Sequence, residues 1–574
     1  MKLNTLSLSV AIALSATVLA GCGGGSSNNN TNQTTSPSTN TGNTSDTVTE
    51  PTWTAGQYDS ASSFVNQCET PREGTDPFEN APYPDQAGTA MHEKMFLRSY
   101  THETYLWYDE VEDKDPKHPD FDSDDEKDTV DKYFDHLKTD AKTASGALKD
   151  KYHFSESYES FKKESDSGLV SGYGIQWAFI NSDIRNGPRV LKVAFTQDGS
   201  PARAAGLLRG DTIAEVNGVD INTGVQADLE TLNAGLFPKE GTTHTLTVKR
   251  EGVAELLSFE LKAQDVASTP VQNAKVIDVA DKKVGYVQFN QFISVGQQPL
   301  IDAFNQFSDA NINELVIDMR YNGGGLVIMS AQLGYMVAGE AQTNASQNNG
   351  ADKSINNDAK VFSRTLRNDK LEAASSEEDY YTFERRQIDW DARVYTNQIL
   401  PSVDMDTVYI LASSGTCSAS ESLINGLRGI DVNVVLIGGQ TCGKPYGFTP
   451  TPNCGEVYYT VQFKGANAKE FGDYAEGFKP VPASSITQTT IGLTDEVPGC
   501  SVADDFSKQL GDTEEGMLAA ALTHIETGAC PVVAKESAQS SVTFRQSLQN
   551  DGIKLAQPFH PMRNGMVDIK VKEQ

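Results

Sequence analysis

The chain has 574 residues, with 47 Lys and Arg against 78 Asp and Glu, and a formal net charge of −31. That acidic balance argues against a nucleic-acid binder, which needs a basic footprint. Beyond the N-terminus no run of about 18–20 apolar residues is long enough to span a bilayer, and the length allows roughly three or four domains.

Residues 1–21 read as a secretory signal, with Lys2 as a short positive start and an apolar stretch from Leu6 to Leu19 relieved by small residues. Leu19-Ala20-Gly21-Cys22 resembles a bacterial lipobox. The resemblance implies cleavage before Cys22 and lipidation of that cysteine. Gly23 follows rather than Asp, which implies sorting to the outer membrane of a Gram-negative cell. Residues 22–55 then form a lipidated, Gly-, Ser-, Asn- and Thr-rich tether, whose r.m.s. reach is about 30 Å.

Residues 56–165 carry a mostly helical pattern, with Met95, Leu97, Tyr100, Tyr105, Leu106 and Tyr108 as an aromatic core face. Asp120, Asp122 and Asp124 alternate as in a calcium loop, but Asp125 stands where such a loop needs Gly and Asp131 where it needs Glu. A solvated acidic loop is the expectation. Cys68, Cys417, Cys442, Cys454, Cys500 and Cys530 form an even set, which in an exported chain favours disulfides. With no CxxC pair among them, no zinc site is expected.

Residues 166–265 change to short β runs with Gly turns. Gly172-Tyr173-Gly174-Ile175 opens an apolar strand. Ser200-Pro201-Ala202-Arg203-Ala204-Ala205-Gly206-Leu207 and Gly210-Asp211-Thr212-Ile213 follow, then Val216-Asn217-Gly218. This run resembles a PDZ domain of the bacterial, protease-associated kind. Such a module takes an extended peptide as an added strand and holds its terminal carboxylate in a Gly loop. The resemblance makes Gly172, Tyr173, Gly174 and Ile175 the candidate peptide-binding loop.

From about 270 to 530, buried strand-like runs alternate with helix-length segments, which suggests βα units. They include Val284–Val287, Leu315–Ile317, Val408–Leu411 and Val434–Ile437. The polar stretch 340–400 reads as an insertion or lid, and 531–574 as a C-terminal extension. The expected fold class is α/β multidomain: a helical N-terminal region, a β-rich PDZ domain and an αβ core.

None of the 8 histidines lies between 245 and 523, so a Ser-His-Asp triad cannot come from local residues of that core. Two segments there carry other chemistry. Ser418-Ala419-Ser420-Glu421 follows a strand and precedes a helical run, and Thr441-Cys442-Gly443-Lys444-Pro445 follows the strand ending at Gly438. Taken singly, Ser418-x-x-Glu421 also reads as a capping box, Lys444 as a surface lysine and Gly323–Gly325 as a turn.

In order, these segments resemble the S41 family of serine peptidases, the tail-specific or C-terminal processing proteases. Ser418–Glu421 matches the family's S-A-S-E, and Thr441–Pro445 its T-F-G-K-G. Asp318-Met319-Arg320-Tyr321-Asn322-Gly323-Gly324-Gly325 matches D-L-R-x-N-x-G-G, and Gly477-Phe478-Lys479-Pro480 a late G-x-x-P. The resemblance covers about 95–500 and implies a ClpP/crotonase-like core. It implies Ser418 as nucleophile and Lys444 as base. The oxyanion hole would come from backbone N–H groups of Gly324 or Gly325 together with Ala419. A lysine serves as base only when neutral, so its amine must fall by about 3 from about 10.4, a change of about 4 kcal/mol that burial can supply. No metal or organic cofactor is implied. The partners are protein or peptide substrates with an exposed C-terminus, and the membrane only through the lipid.

Three departures bear on this. The Ser-to-Lys separation is one residue longer than in the family, assigned to a loop near Gly429–Asn433. Phe448 stands where many members carry a Gln that orients the lysine, and Asp431 is not assigned that role. Lys-Pro-Tyr-Gly resembles a lipoprotein branch of the family. Cys417 and Cys442 flank the two candidate residues, so either they pair and brace the site or Cys442 pairs with Cys454. The rival reading is a PDZ and αβ binding scaffold whose peptidase site has decayed. A second rival is a hydrolase of small acyl substrates.

Overall fold

In the lead region, apolar residues at helical spacing fold α1 (Ala90–Thr104) onto α2 (Glu126–His136). Met91, Met95, Leu97 and Tyr100 pack with Phe121, Val130, Tyr133 and Phe134. The structure is a computed structural model that describes residues 48–143, 146–347, 358–374, 379–487, 489–531, 555 and 565–573. The signal, the lipobox and Cys22 lie outside the described residues. Among the described residues no helix is long and apolar enough to cross a membrane.

The aromatic stripe of this region does not lie on one helix. Tyr105 is the C-cap of α1 with extended backbone. Leu106 donates its N–H to the Val461 carbonyl at 2.7 Å, which turns Tyr105 into a second cluster with Phe448, Val457 and Tyr459. The acidic loop is structural: Asp125 caps α2 by accepting the Asp128 N–H at 3.2 Å, and exposed Asp120 pairs with Lys114. Strand β1 (Phe154–Ser157) then joins Glu456–Tyr459 of the αβ core as an antiparallel partner. Helix α3 (Tyr158–Ser167) starts on the Ser157 side-chain cap and ends on left-handed Gly168.

Next comes a six-stranded sheet whose main path runs Leu257–Lys262, Thr243–Lys249, Thr212–Val216, Val190–Thr196 and β2 (Ile175–Asn181). Helix α4 (Gln226–Leu236) closes it, with Leu229, Leu232 and Leu236 buried against Leu191, Val193, Leu246 and Val248. β2 is the end strand of that path, and its Trp177 indole N–H reaches the Leu236 carbonyl of α4 at 3.3 Å.

The αβ core is a seven-stranded sheet. Its spatial order is Val271–Val279, Lys282–Phe289, β3 (Glu314–Asp318), β4 (Thr407–Ala412), β5 (Asn433–Gly438), Glu496–Ser501 and Lys479–Val481. Only the first pair is antiparallel. Alternate residues face opposite ways, as the pleat demands. Leu315, Ile317, Val408 and Ile410 face one layer of helices, α5 (Val327–Thr343) and α6 (Ala419–Gly429). Val316, Tyr409, Leu411 and Ile437 face α7 (Gly516–Thr527) on the other side. Fully apolar strands covered on both faces are what a parallel sheet requires. Within 340–400, Val361–Leu366 pairs with Phe463–Ala466, and Phe362 and Phe383 enter the core.

All six cysteines after Cys22 are joined, as Cys68–Cys454, Cys417–Cys442 and Cys500–Cys530. Cys442 therefore pairs with Cys417 and not with Cys454, because the sheet sets the two site loops side by side. Among the described residues the one cluster with metal-ligand geometry is Cys68, Glu93 and Cys454, and its two sulfurs are spent in a disulfide.

Candidate active site

Three adjacent parallel strands deliver the candidate residues from their carboxyl ends, where open α/β sheets form their crevices. β3 leads into Asn322–Gly325, β4 into Ser418, and β5 into Lys444.

Ser418 is fully buried and lies between the strand and helix α6, with φ 63° and ψ −112°. A non-glycine residue there costs about 1–3 kcal/mol and persists only where its surroundings fix it. The fixing group is Glu421. Its carboxylate accepts the Ser418 N–H at 2.9 Å, the Gly443 N–H at 2.8 Å, the Lys444 N–H at 2.8 Å and the Thr441 hydroxyl at 2.5 Å. One buried acid thus holds the backbones of both the serine and the lysine. Burial pushes its carboxyl up, and the four donors pull against that. Ser418 and Glu421 form the capping box that the sequence offers, and the bonds to Thr441, Gly443 and Lys444 go beyond it. Among the described residues the Ser418 hydroxyl is a buried polar atom without a hydrogen-bond partner.

Lys444 is also fully buried. Burial drives its amine well below the ordinary lysine value, while Asp150 and Glu421 oppose the shift and Lys151 adds to it. Its Nζ lies 4.2 Å from the centroid of the Phe448 ring and 4.5 Å from that of Tyr152. Phe448 thus forms one wall of an aromatic cradle around the amine. Asp431 plays no part, since it pairs with Lys469 at 2.6 Å. The turn before the lysine needs glycine: a Cβ on Gly443, at φ 81°, would lie 2.3 Å from the Ala475 carbonyl oxygen. The late Gly477 backs the same turn, where a Cβ would meet the Thr441 carbonyl oxygen at 2.1 Å.

The Gly run distinguishes the two glycines that the sequence left open. The Gly324 N–H is committed to Asn322 Oδ1 at 3.0 Å, so it does not donate into the crevice. Gly324 instead makes room: a Cβ there would lie 2.8 Å from Ser418 Cβ and 3.1 Å from the Ala419 nitrogen. The Gly325 N–H faces the crevice and donates to the Gly565 carbonyl at 2.6 Å. Asn322 sets this turn, bonding the Phe289 carbonyl through its amide and taking the Cys417 N–H and the Ser420 hydroxyl on its own carbonyl.

Two contributors carry no motif. Tyr152 donates to the Gly443 carbonyl at 3.1 Å, and Asp150 accepts the Tyr152 N–H at 2.8 Å and the Tyr105 hydroxyl at 2.7 Å. Of the peptide-binding loop, Tyr173 is buried in the β-domain core, and Ile175 begins β2. The carbonyls of Tyr173 and Gly174 accept from Ala202 and Gln197.

Residues 283–462 match the model of peptidase family S41, and residues 166–261 match that of the PDZ domain. The αβ core is thus similar to S41 peptidases, and residues 166–261 are similar to a PDZ domain. It is 34% identical over 172 residues to a carboxyl-terminal-processing protease of Picosynechococcus sp., covering 30% of this chain and 39% of that one. It is 25% identical over 298 residues to the chloroplastic carboxyl-terminal-processing peptidase 3 of Arabidopsis thaliana, covering 50% and 48%. The chain therefore spans less than half the length of these curated relatives. A solved structure of a putative S41 protease from Bacteroides fragilis shares the fold at TM-score 0.51 and 23% identity, over 78% of this chain and 98% of that one.

Proposed function

We propose that the chain is a serine endopeptidase of the cell envelope that cleaves unfolded or C-terminally tailed proteins through a Ser418–Lys444 dyad. The observation that carries this is one carboxylate, Glu421, gripping the backbone of a strained, buried serine and of a lysine whose amine burial pushes well below the ordinary lysine value. In this reading Lys444 takes the Ser418 proton as the oxygen attacks a peptide carbonyl. The Gly325 and Ala419 N–H groups hold the oxyanion; one such donor is worth about 10²–10³ in rate. The PDZ domain offers the open edge of β2 beside α4 to an extended tail, with Gly172–Ile175 at its start. Lipidation at Cys22 tethers the folded part to the outer membrane.

The test is Ser418→Ala against wild type on a disordered reporter protein. A loss of roughly 10⁴–10⁶-fold is expected. Undiminished cleavage by the variant refutes the assignment, and turnover of small esters without peptides moves it to the acyl-hydrolase class. Metabolic lipid labelling of wild type and Cys22→Ser tests the anchor.

A further inference from the structure

The crevice already holds a peptide, and it belongs to the same chain. Met566–Val567 pairs as a parallel strand with Gly325–Leu326, with Met566 opposite Gly325. On its other side the Phe448 N–H donates to the Met566 carbonyl and the Asp568 N–H to the Phe448 carbonyl, each at 2.9 Å. The segment therefore runs as a middle strand between the Gly turn and the lysine cradle. Met566 and Val567 are almost completely buried.

Its register is what matters. The Gly565 carbonyl takes the Gly325 N–H at 2.6 Å, the donor assigned to the oxyanion. A Cβ placed on Gly324 would sit 2.5 Å from that carbonyl oxygen, 2.8 Å from Ser418 Cβ and 3.1 Å from the Ala419 nitrogen. Scissile-type carbonyl, nucleophile and second donor thus surround one point. Further up the chain, Leu555 is buried in the PDZ-domain core, and its N–H reaches the Ser182 carbonyl, just past the end of β2, at 3.4 Å. Described parts of the C-terminal segment thus reach both the crevice and the PDZ domain.

We propose that the chain is its own first substrate and that Ser418 cleaves the Gly565–Met566 bond in cis. This rests on the peptidase reading above. Ser418 Oγ adds to the Gly565 carbonyl carbon while its proton passes to the neutral Lys444 amine, and the oxyanion is held by the Gly325 N–H. Collapse breaks the C–N bond, and the proton returns from Lys444 to the Met566 nitrogen, which leaves as an amine. Water then hydrolyses the Gly565 ester, with Lys444 again the base. The products are a chain ending in a Gly565 carboxylate and a peptide beginning at Met566. The crevice is then vacant for other chains.

The experiment follows the intact mass of the full chain with time, beside its activity on a disordered reporter. Wild type is expected to lose the peptide beginning at Met566, at a first-order rate independent of protein concentration. Reporter cleavage should show a lag that matches this loss, Ser418→Ala should keep its tail, and a chain ending at Gly565 should cleave without a lag. Reporter cleavage by a wild type whose tail stays intact overturns the proposal and leaves the peptidase reading standing. A tail-loss rate that rises with protein concentration overturns cleavage in cis. If neither tail nor reporter is cut, even by the chain ending at Gly565, both readings fail together.

Discussion

At the scale of single residues, Lys444 links activity and stability through one proton. Burial holds its amine well below the usual value, so the unfolded chain binds a proton that the folded chain does not, between that depressed value and about 10.5. Stability therefore rises with pH across that window, and the penalty is full below it. Lys444→Met keeps the volume and removes the charge. Its urea midpoint is expected above that of wild type near pH 6, with the gap closing toward about pH 10. Cleavage should fall by roughly 10⁴-fold or more, whereas wild-type cleavage should climb with pH as the amine loses its proton. A wild type with flat activity across the window would show that Lys444 is not the base. Glu421→Gln tests the group beneath. Each carboxylate oxygen accepts two donors, and an amide NH₂ in place of one faces donors with a donor. Two bonds are lost at about 1–3 kcal/mol each, so a lower Tm and a fall in kcat are expected together.

At the scale of elements, the candidate nucleophile and base sit on two loops after neighbouring strands, and the Cys417–Cys442 disulfide ties those loops. It closes a sequence separation of 25 residues, which by loop entropy stabilises by roughly 3–4 kcal/mol. Because its ends adjoin Ser418 and lie two residues from Lys444, loosening it should lower kcat more than it raises KM. The double variant Cys417→Ser, Cys442→Ser, read by thermal melting and steady-state kinetics, checks both effects. Each of these turns was legible in the sequence because its chemistry is compressed into a few residues behind an apolar strand. The pairing of Cys417 with Cys442 was one of two that the sequence left open, and β4 and β5 lying side by side decides it. Tyr152 and Asp150 left no trace at all: the Tyr152 bond to Gly443 spans 291 residues, and no local spacing encodes it. The stripe from Met95 to Tyr108 misled for a related reason. Its second half packs on Val457, Tyr459 and Phe448, so its periodicity came from two different partners. Gly324 shows the limit of a motif, for the run marks where backbone comes close to the serine and not which N–H is free.

At the scale of the whole molecule, one buried side chain ties the PDZ domain to the αβ core beside an apolar contact of Phe195 and Ala194 with Tyr321, Phe506 and Leu510. Arg209 is buried, and its guanidinium bonds Asp504 at 2.6 Å, the Tyr321 hydroxyl at 2.8 Å, and the carbonyls of Ala194 at 2.9 Å and Lys508 at 3.0 Å. Asp504 also takes Arg320 at 2.8 Å, and Arg320 is clamped by Asp318 and Glu515. Burial raises the Asp504 carboxyl, and the two guanidiniums outweigh it, leaving it below the usual carboxylate range. Tyr321 and Arg320 belong to the segment that ends in Gly323–Gly325, so the same cluster fixes the PDZ domain and the turn that presents the Gly325 N–H. Arg209→Ala leaves the acid cluster short of a cation, at a cost of about 3–5 kcal/mol. Arg209→Lys restores charge but, as a point donor, cannot span all of these acceptors, and should recover only part of it. Differential scanning calorimetry is expected to show one transition for wild type and a separate, earlier PDZ transition for Arg209→Ala, with reporter cleavage reduced in the same order, Ala below Lys below Arg. A single unchanged transition in Arg209→Ala would mean that the two domains are held by their apolar contacts and that the cluster only shapes the turn.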